Sequence, residues 1–86
     1  MLYKVYWTET FRQRFDELPK AEQERIETLI KKLTENPRQG KPLGVYNIRE
    51  KRIGVRRVYY IVYDKYVIVL MVAISGKKDQ QLTITR

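Results

Sequence analysis

The chain contains no cysteine and no histidine among its 86 residues. It therefore forms no disulfides, has no thiol nucleophile, and lacks the two commonest protein ligands of transition metals. If the protein is an enzyme, its catalytic groups must be lysine, arginine, glutamate, aspartate, tyrosine, serine or threonine. We accordingly expect neither a metal nor a small-molecule cofactor.

Long apolar runs are missing as well. The longest, Val67 to Ile74, has eight residues, whereas a helix needs roughly 20 to span a bilayer. The stretch Met1 to Trp7 alternates like a strand and has no basic region of the kind that opens a signal peptide. These absences predict a cytoplasmic protein with no membrane partner.

The length predicts one domain. Two domains would leave neither with enough buried surface, so we expect residues 1–86 to fold as a single unit. With 43% hydrophobic and 33% charged residues, the composition is that of a globular chain.

Positive charge is concentrated in the second half of the chain. The formal net charge is +8. Residues 8–36 contain six basic and seven acidic side chains, whereas residues 37–86 contain eleven basic and three acidic ones. Such a confined excess suggests a polyanionic partner such as nucleic acid. The alternative is a solvated basic surface that only aids solubility.

The first half of the chain predicts a strand followed by two helices. Leu2 to Trp7 has the period of a strand, and Thr8 is suited to cap the helix after it. Pro19 separates the helices, and Asn36-Pro37 ends the second. The apolar faces of the two helices are Phe11, Phe15 and Leu18, then Ile26, Leu29, Ile30 and Leu33.

The second half predicts a loop and three strands. The loop is Arg38 to Gly44, and a tight two-residue turn is expected at Asp64-Lys65. The strands are a weak one at Val45 to Glu50 and strong ones at Val55 to Tyr63 and Tyr66 to Ile74, with a possible edge strand at Gln80 to Thr85.

These elements define an α+β fold. The predicted order is an N-terminal strand, an αα-hairpin, and a three-stranded antiparallel meander. A lone strand cannot form a sheet, so the first strand should join the meander, and both helices should pack on one face of a mostly antiparallel sheet.

The charged residues cluster at the ends of the predicted hairpin. The stretch Arg49-Glu50-Lys51-Arg52 opens it, Arg56-Arg57 starts its strong strand, and Lys77-Lys78 closes it. A rigid sheet would aim these side chains at a common partner, so we interpret the cluster as the functional site.

These residues are also the ones through which the chain resembles the RelE/ParE toxin superfamily of type II toxin–antitoxin modules. The resemblance extends from Tyr3-Lys4-Val5 to Thr83. Its pieces, the charged ones included, are Phe11 to Leu18 with Pro19, Leu33 to Pro37, Gly40-Lys41-Pro42-Leu43, the charged stretch at 49–52, Arg57-Val58-Tyr59-Tyr60, and Lys77-Lys78-Asp79-Gln80-Gln81.

The resemblance implies two possible activities. RelE-like members enter the ribosomal A site and cut messenger RNA, with the ribose 2′-OH attacking the adjacent phosphate. ParE-like members share the fold, inhibit DNA gyrase and are not nucleases. Both kinds are neutralised by a cognate antitoxin protein, usually encoded beside the toxin.

The resemblance also implies roles for single residues. Arg57 matches the family arginine that holds the scissile phosphate, and Lys77 or Lys78 matches the basic residue after the last long strand. Glu50 lies close to where some ribonucleases of the family carry a general base. Many active members have a tyrosine or histidine near the C-terminus, and residues 80–86 contain neither.

Cleavage of RNA needs a clamp on the phosphate, a base for the 2′-OH and an acid for the leaving oxygen. Arginine suits the clamp because its planar guanidinium grips two phosphate oxygens. The predicted catalytic residues are Arg57 as the clamp, Glu50 or Lys51 as the base and Lys78 as the acid. The predicted RNA contacts are Arg49, Arg52, Arg56 and Lys77, with Arg49 or Arg52 as a second clamp.

The leading interpretation is a metal-independent endoribonuclease that acts on messenger RNA at the ribosome. The alternatives are a non-enzymatic ParE-like inhibitor of DNA gyrase and an inactive homologue that only binds nucleic acid. For Glu50, the alternative to a general base is a residue that only balances the charge of the neighbouring cations. The ribonuclease interpretation requires Arg57, Lys51 and Lys78 to surround one phosphate-sized space.

Overall fold

A computed structural model describes residues 2–76 of the chain. They form a five-stranded sheet with the strand order β1-β5-β4-β3-β2. The parallel pair is β1 with β5, and the other neighbouring strands are antiparallel. The elements are β1 (Lys4–Trp7), α1 (Glu9–Glu17), α2 (Lys20–Glu35), β2 (Lys41–Pro42), β3 (Ile48–Ile53), β4 (Arg56–Tyr63) and β5 (Ile68–Ser75).

The first helix begins where the sequence predicts, and the second begins one residue after Pro19, which was expected in its first turn. The side-chain oxygen of Thr8 accepts a hydrogen bond from the backbone N–H of Phe11 at 3.1 Å, which satisfies one of the unpaired donors of the first turn of α1. Pro19 occupies the cap position of α2, one residue before the helix. Neither helix is long and apolar enough to cross a membrane.

The core lies between the two helices and one face of the sheet. Phe11 is fully buried, and its ring centroid is 5.0 Å from that of Trp7 and 6.4 Å from that of Phe15. The predicted helical stripes face the sheet. The core consists of Phe11, Phe15, Leu18, Ile26, Leu29 and Leu33 from the helical half, and Val58, Tyr60, Val62, Val69, Met71 and Ile74 from the sheet.

The two faces of the sheet differ, as β4 shows. Val58, Tyr60 and Val62 are buried against the helices, on what we call the helix face. Successive side chains of a strand alternate between faces. The opposite side, which we call the open face, carries Arg57, Tyr59, Ile61 and Tyr63 along β4.

The first strand of the meander differs from its predicted position. It spans Ile48–Ile53, not Val45 to Glu50. Gly44, Tyr46 and Asn47 have φ angles of 84°, 50° and 59°, and a strand does not tolerate positive φ. The charged stretch at 49–52 therefore lies inside the strand, and its side chains alternate between the two faces.

The two connecting segments also differ from prediction. The expected loop at 38–44 overlaps a 3₁₀ turn at Pro37–Gln39 and contains the two-residue strand β2, which pairs with β3. The expected two-residue turn is a 3₁₀ turn, Asp64–Tyr66, followed by Val67 with a φ of 56°. The possible edge strand at 80–85 lies outside the described residues.

Candidate functional site

Three predicted site residues share the open face at one end of the sheet. In the register of β3 with β4, Arg52 is opposite Arg57 and Glu50 is opposite Tyr59. Directly opposed residues lie on the same face. The Nε atom of Arg57 is 3.6 Å from Oε2 of Glu50, and both side chains are partly buried. We call Glu50, Arg52 and Arg57 the open-face cluster.

The open-face cluster is electrostatically uneven. Like charges directly opposite each other on paired strands are destabilising, and Arg52 and Arg57 form such a pair. Glu50 offsets one of the two positive charges. Arg52 is exposed, so it is the cation best placed to meet an anionic partner.

Lys51 does not join this cluster. It pairs in register with Val58, which is fully buried under the helices. Lys51 therefore lies on the helix face, on the opposite side of β3 from Glu50 and Arg57. The expectation that Lys51 and Arg57 surround one phosphate is wrong, because the register of β3 with β4 puts their side chains on opposite faces of the sheet.

Arg56 also lies on the helix face, as expected from its place beside Arg57. Its guanidinium forms an ion pair with Glu22 of α2. A Cβ atom built on Gly76 would be 2.7 Å from Nη1 of Arg56, so the same guanidinium lies against the end of β5. Arg56 thus connects α2 to the sheet, which gives it a structural reason to be present.

Arg49 is held by the backbone of the loop after α2. Its Nη1 atom donates hydrogen bonds to the carbonyl oxygens of Arg38 at 3.0 Å and Gly40 at 2.7 Å. The hydroxyl of Tyr60, opposite Arg49 in register, donates to the carbonyl of Pro37 at 2.8 Å and accepts from the N–H of Gly40 at 2.9 Å. Arg49 therefore fastens this loop to the sheet.

Lys77 and Lys78 lie outside the described residues, so their predicted roles stay predictions. The strand that leads to them ends at Ser75, which is opposite Arg57 in register. The hydroxyl oxygen of Ser75 is buried and has no hydrogen-bond partner within residues 2–76.

Sequence reasoning missed two neighbours of the site. Lys41 of β2 is opposite Glu50 in register and is exposed, but a two-residue strand of lysine and proline has no sequence signal. Glu22, the partner of Arg56, lies 34 residues away along the chain. No pattern within α2 indicates that Glu22 pairs with a residue of the sheet.

The arrangement is suited to binding an anion. Arg52 and Lys41 offer exposed positive charge, and Arg57 is available to a phosphate only in competition with Glu50. General base catalysis needs a base within hydrogen-bond reach of the reacting hydroxyl. The carboxylate of Glu50 instead faces a guanidinium, as a charge balancer would.

We expect Glu50→Gln to strengthen binding of a short single-stranded RNA about two- to fivefold, because it frees Arg57 from a partly exposed ion pair worth less than about 1 kcal/mol. Fluorescence anisotropy at fixed salt measures this change, with Glu27→Gln on the exposed surface of α2 as the control. Weaker binding by Glu50→Gln would show that the carboxylate does not compete for Arg57.

Comparison with known proteins places the chain in a family. A model of the ParE toxin of the type II toxin–antitoxin system parDE matches residues 5–81. No curated protein sequence matches the chain significantly. Among solved structures, RelE in the intact Escherichia coli RelBE complex has a TM-score of 0.79 at 19% identity, covering 86% of this chain and 95% of that one.

Two further structures are similar. RelE in the Pyrococcus horikoshii RelE–RelB complex has a TM-score of 0.76 at 21% identity, covering 90% of this chain and 97% of that one. A chain of the Mycobacterium tuberculosis RelBE2 complex has a TM-score of 0.70 at 25% identity, covering 90% of this chain and 100% of that one. These structures contain toxins together with their antitoxins.

The fold is thus that of the RelE toxins, two helices on one face of a mostly antiparallel five-stranded sheet. The chain belongs to the ParE toxin family of type II toxin–antitoxin systems, within the RelE/ParE superfamily. Both the resemblance and the α+β fold expected from the sequence are confirmed.

Proposed function

We propose that this toxin acts by binding a protein target, DNA gyrase, and not by cutting messenger RNA. The observation that carries the proposal is the separation of Lys51, one of the two candidate bases, from Arg57, together with the pairing of Arg57 with the other candidate base. Lys51 and Arg57 lie on opposite faces of the sheet, and Arg57 is paired with Glu50. The match to the ParE family model over residues 5–81 supports the same choice. A cognate antitoxin is the expected second partner.

The chemistry of RNA cleavage explains why the separation matters. Phosphoryl transfer to a neighbouring hydroxyl depends on charge stabilisation and in-line positioning within one site. Misplacing a catalytic group by even 1 Å can cost a factor of about 100 in rate. A binding protein has no such requirement, since its charged groups can contact a partner from both faces.

The proposal predicts that the purified protein inhibits plasmid supercoiling by DNA gyrase and leaves ribosome-bound messenger RNA intact. Gel electrophoresis of plasmid topoisomers measures the first effect, and primer extension on messenger RNA with ribosomes present measures the second. Undiminished supercoiling together with new cuts in the RNA would contradict the proposal. Heat-denatured protein is the control for nonspecific effects of a basic chain.

A ribosome-dependent endoribonuclease is the second candidate. Glu50, Arg52 and Arg57 do share one face, and β5 ends beside Arg57 at Ser75, two residues before Lys77. In this candidate Arg57 is the phosphate clamp, Glu50 the base and Lys78 the acid. If the primer-extension assay shows cuts, Arg57→Ala should abolish them and Lys51→Ala should not.

A further inference from the structure

The segment Leu43–Asn47, which we call the tip, exposes an unusual amount of apolar surface. It connects β2 to β3. Tyr46 is 86% exposed, Val45 52% and Leu43 40%. Single exposed apolar residues are ordinary, but adjacent ones on one loop form a patch of the kind that marks an interaction site.

The tip has a defined and strained backbone. The N–H of Leu43 donates to the carbonyl of Ile48, and the N–H of Ile48 donates to the carbonyl of Val45. Gly44, Tyr46 and Asn47 have positive φ angles. Such a conformation in a tyrosine costs energy and is concentrated at functional sites. A loop already held in one shape loses little entropy when it binds.

The base of the tip is anchored. Arg49 and Tyr60 bind the backbone just before β2, as described above. A cavity of about 300 Å³ lies beside the tip, and its wall includes Tyr46, Arg49 and the ion pair of Arg38 with Asp64, so cations outnumber carboxylates there. Exposed Lys41 flanks the tip in β2. The tip is therefore an apolar projection with a basic surround.

We propose that the tip is the contact through which this toxin engages its protein target, with Tyr46 inserted into an apolar pocket rimmed by carboxylates. This inference rests on the proposed function, inhibition of DNA gyrase. Rigid aromatic side chains at the centre of an interface carry much of the binding energy. The basic surround complements an acidic rim.

A protein fits the tip better than a nucleic acid does. Single-stranded nucleic acids bind to stacking aromatic rings combined with arginine or lysine. Although Lys41 and Arg49 lie beside the tip, its other exposed apolar side chains, Leu43 and Val45, are aliphatic groups that neither stack on bases nor bind phosphates. Aliphatic and aromatic groups together match the apolar core of a protein interface.

The test is supercoiling inhibition by Tyr46→Ala. We expect its half-inhibitory concentration to rise about 30-fold, the loss typical of a central interface residue. Tyr66→Ala is the matched control, because Tyr66 is 64% exposed in the turn before β5 and should inhibit like the unchanged protein. Both side chains are largely in solvent, so thermal melting should show both variants folded.

A second variant tests the shape of the tip with its apolar groups intact. Gly44 has a φ of 84°, and a Cβ atom there would meet nothing within 4 Å. Gly44→Ala therefore acts through backbone conformation, not through a clash. We expect at least a fivefold rise in half-inhibitory concentration, because the side-chain positions of Val45 and Tyr46 shift.

The outcomes separate the two proposals. If the unchanged protein does not inhibit gyrase, the proposed function fails and the tip loses its proposed partner. If the unchanged protein inhibits and Tyr46→Ala inhibits equally well, the assignment of the tip alone is overturned. If Tyr46→Ala inhibits normally but escapes neutralisation by the co-expressed antitoxin, the tip binds the antitoxin and our assignment is wrong.

Discussion

Phe11→Ala should lower the free energy of unfolding by about 3–5 kcal/mol, the usual cost of deleting a fully buried phenylalanine. Phe11 is 0% exposed and lies against Trp7 and Phe15, with the Trp7 ring approaching it edge-on. The alanine leaves a cavity that α1 can fill only by moving against the sheet. Because the total free energy of unfolding of a native protein is about 5–15 kcal/mol, the loss is a large part of its stability.

Urea denaturation, monitored by circular dichroism, measures this loss. The urea concentration at the unfolding midpoint should fall, and the dependence of the unfolding free energy on urea concentration should stay unchanged. Thr10→Ala is the control, since Thr10 is exposed on the same helix and its replacement should change stability by less than about 0.5 kcal/mol. Phe11→Leu, which retains most of the volume, should lose markedly less than Phe11→Ala. Equal losses for the alanine and leucine variants would contradict the cavity argument.

The helical half could be predicted from sequence because its signals are local. Thr8 caps α1, and the apolar residues of both helices recur at intervals of three and four, so each signal lies within a few turns of chain. The limits of β3 could not be predicted, because left-handed backbone is rare for a tyrosine such as Tyr46, and Asn47 favours that conformation without requiring it. The charged stretch at 49–52 was therefore expected at the end of a strand, whereas it lies inside β3.

The candidate site was predicted as a list of residues but not as an arrangement. The alternation of side chains along β4 separates Arg56 from Arg57, and that rule needs only one strand. The same rule applied to β3 separates Lys51 from Glu50, but its use required knowing that both lie in a strand. The pairing of Lys41 with Glu50 depends on contacts between strands, which no pattern within one segment contains.

The second large effect concerns Tyr60, whose hydroxyl holds the backbone just before β2 and so anchors the tip. We expect Tyr60→Phe to lower the free energy of unfolding by about 2–4 kcal/mol. The change leaves the Gly40 N–H and the Pro37 carbonyl without their hydrogen-bond partner, and each buried polar group left unpaired costs about 1–3 kcal/mol. Tyr66→Phe is the control, because the exposed hydroxyl of Tyr66 loses only contact with water.

The same hydroxyl makes stability depend on pH in the alkaline range. Burial raises the pKa of Tyr60 above its ordinary value near 10, and the hydrogen bond from Gly40 and the charge of Arg49 oppose the rise. Above pH 10 the unfolded chain therefore loses this proton while the folded protein keeps it. The unfolded state then binds fewer protons, so stability falls as pH rises, until the folded protein also titrates.

Comparing the unchanged protein with Tyr60→Phe isolates this group from the other tyrosines and the lysines that titrate in the same range. The difference in unfolding free energy should be constant below pH 9 and should shrink above pH 10, by at most about 1.4 kcal/mol per pH unit. A difference that stays constant through pH 11 would mean that the phenol titrates equally in both states. The hydroxyl would then not be buried between Pro37 and Gly40, and the tip would lack the rigid base on which its proposed role depends.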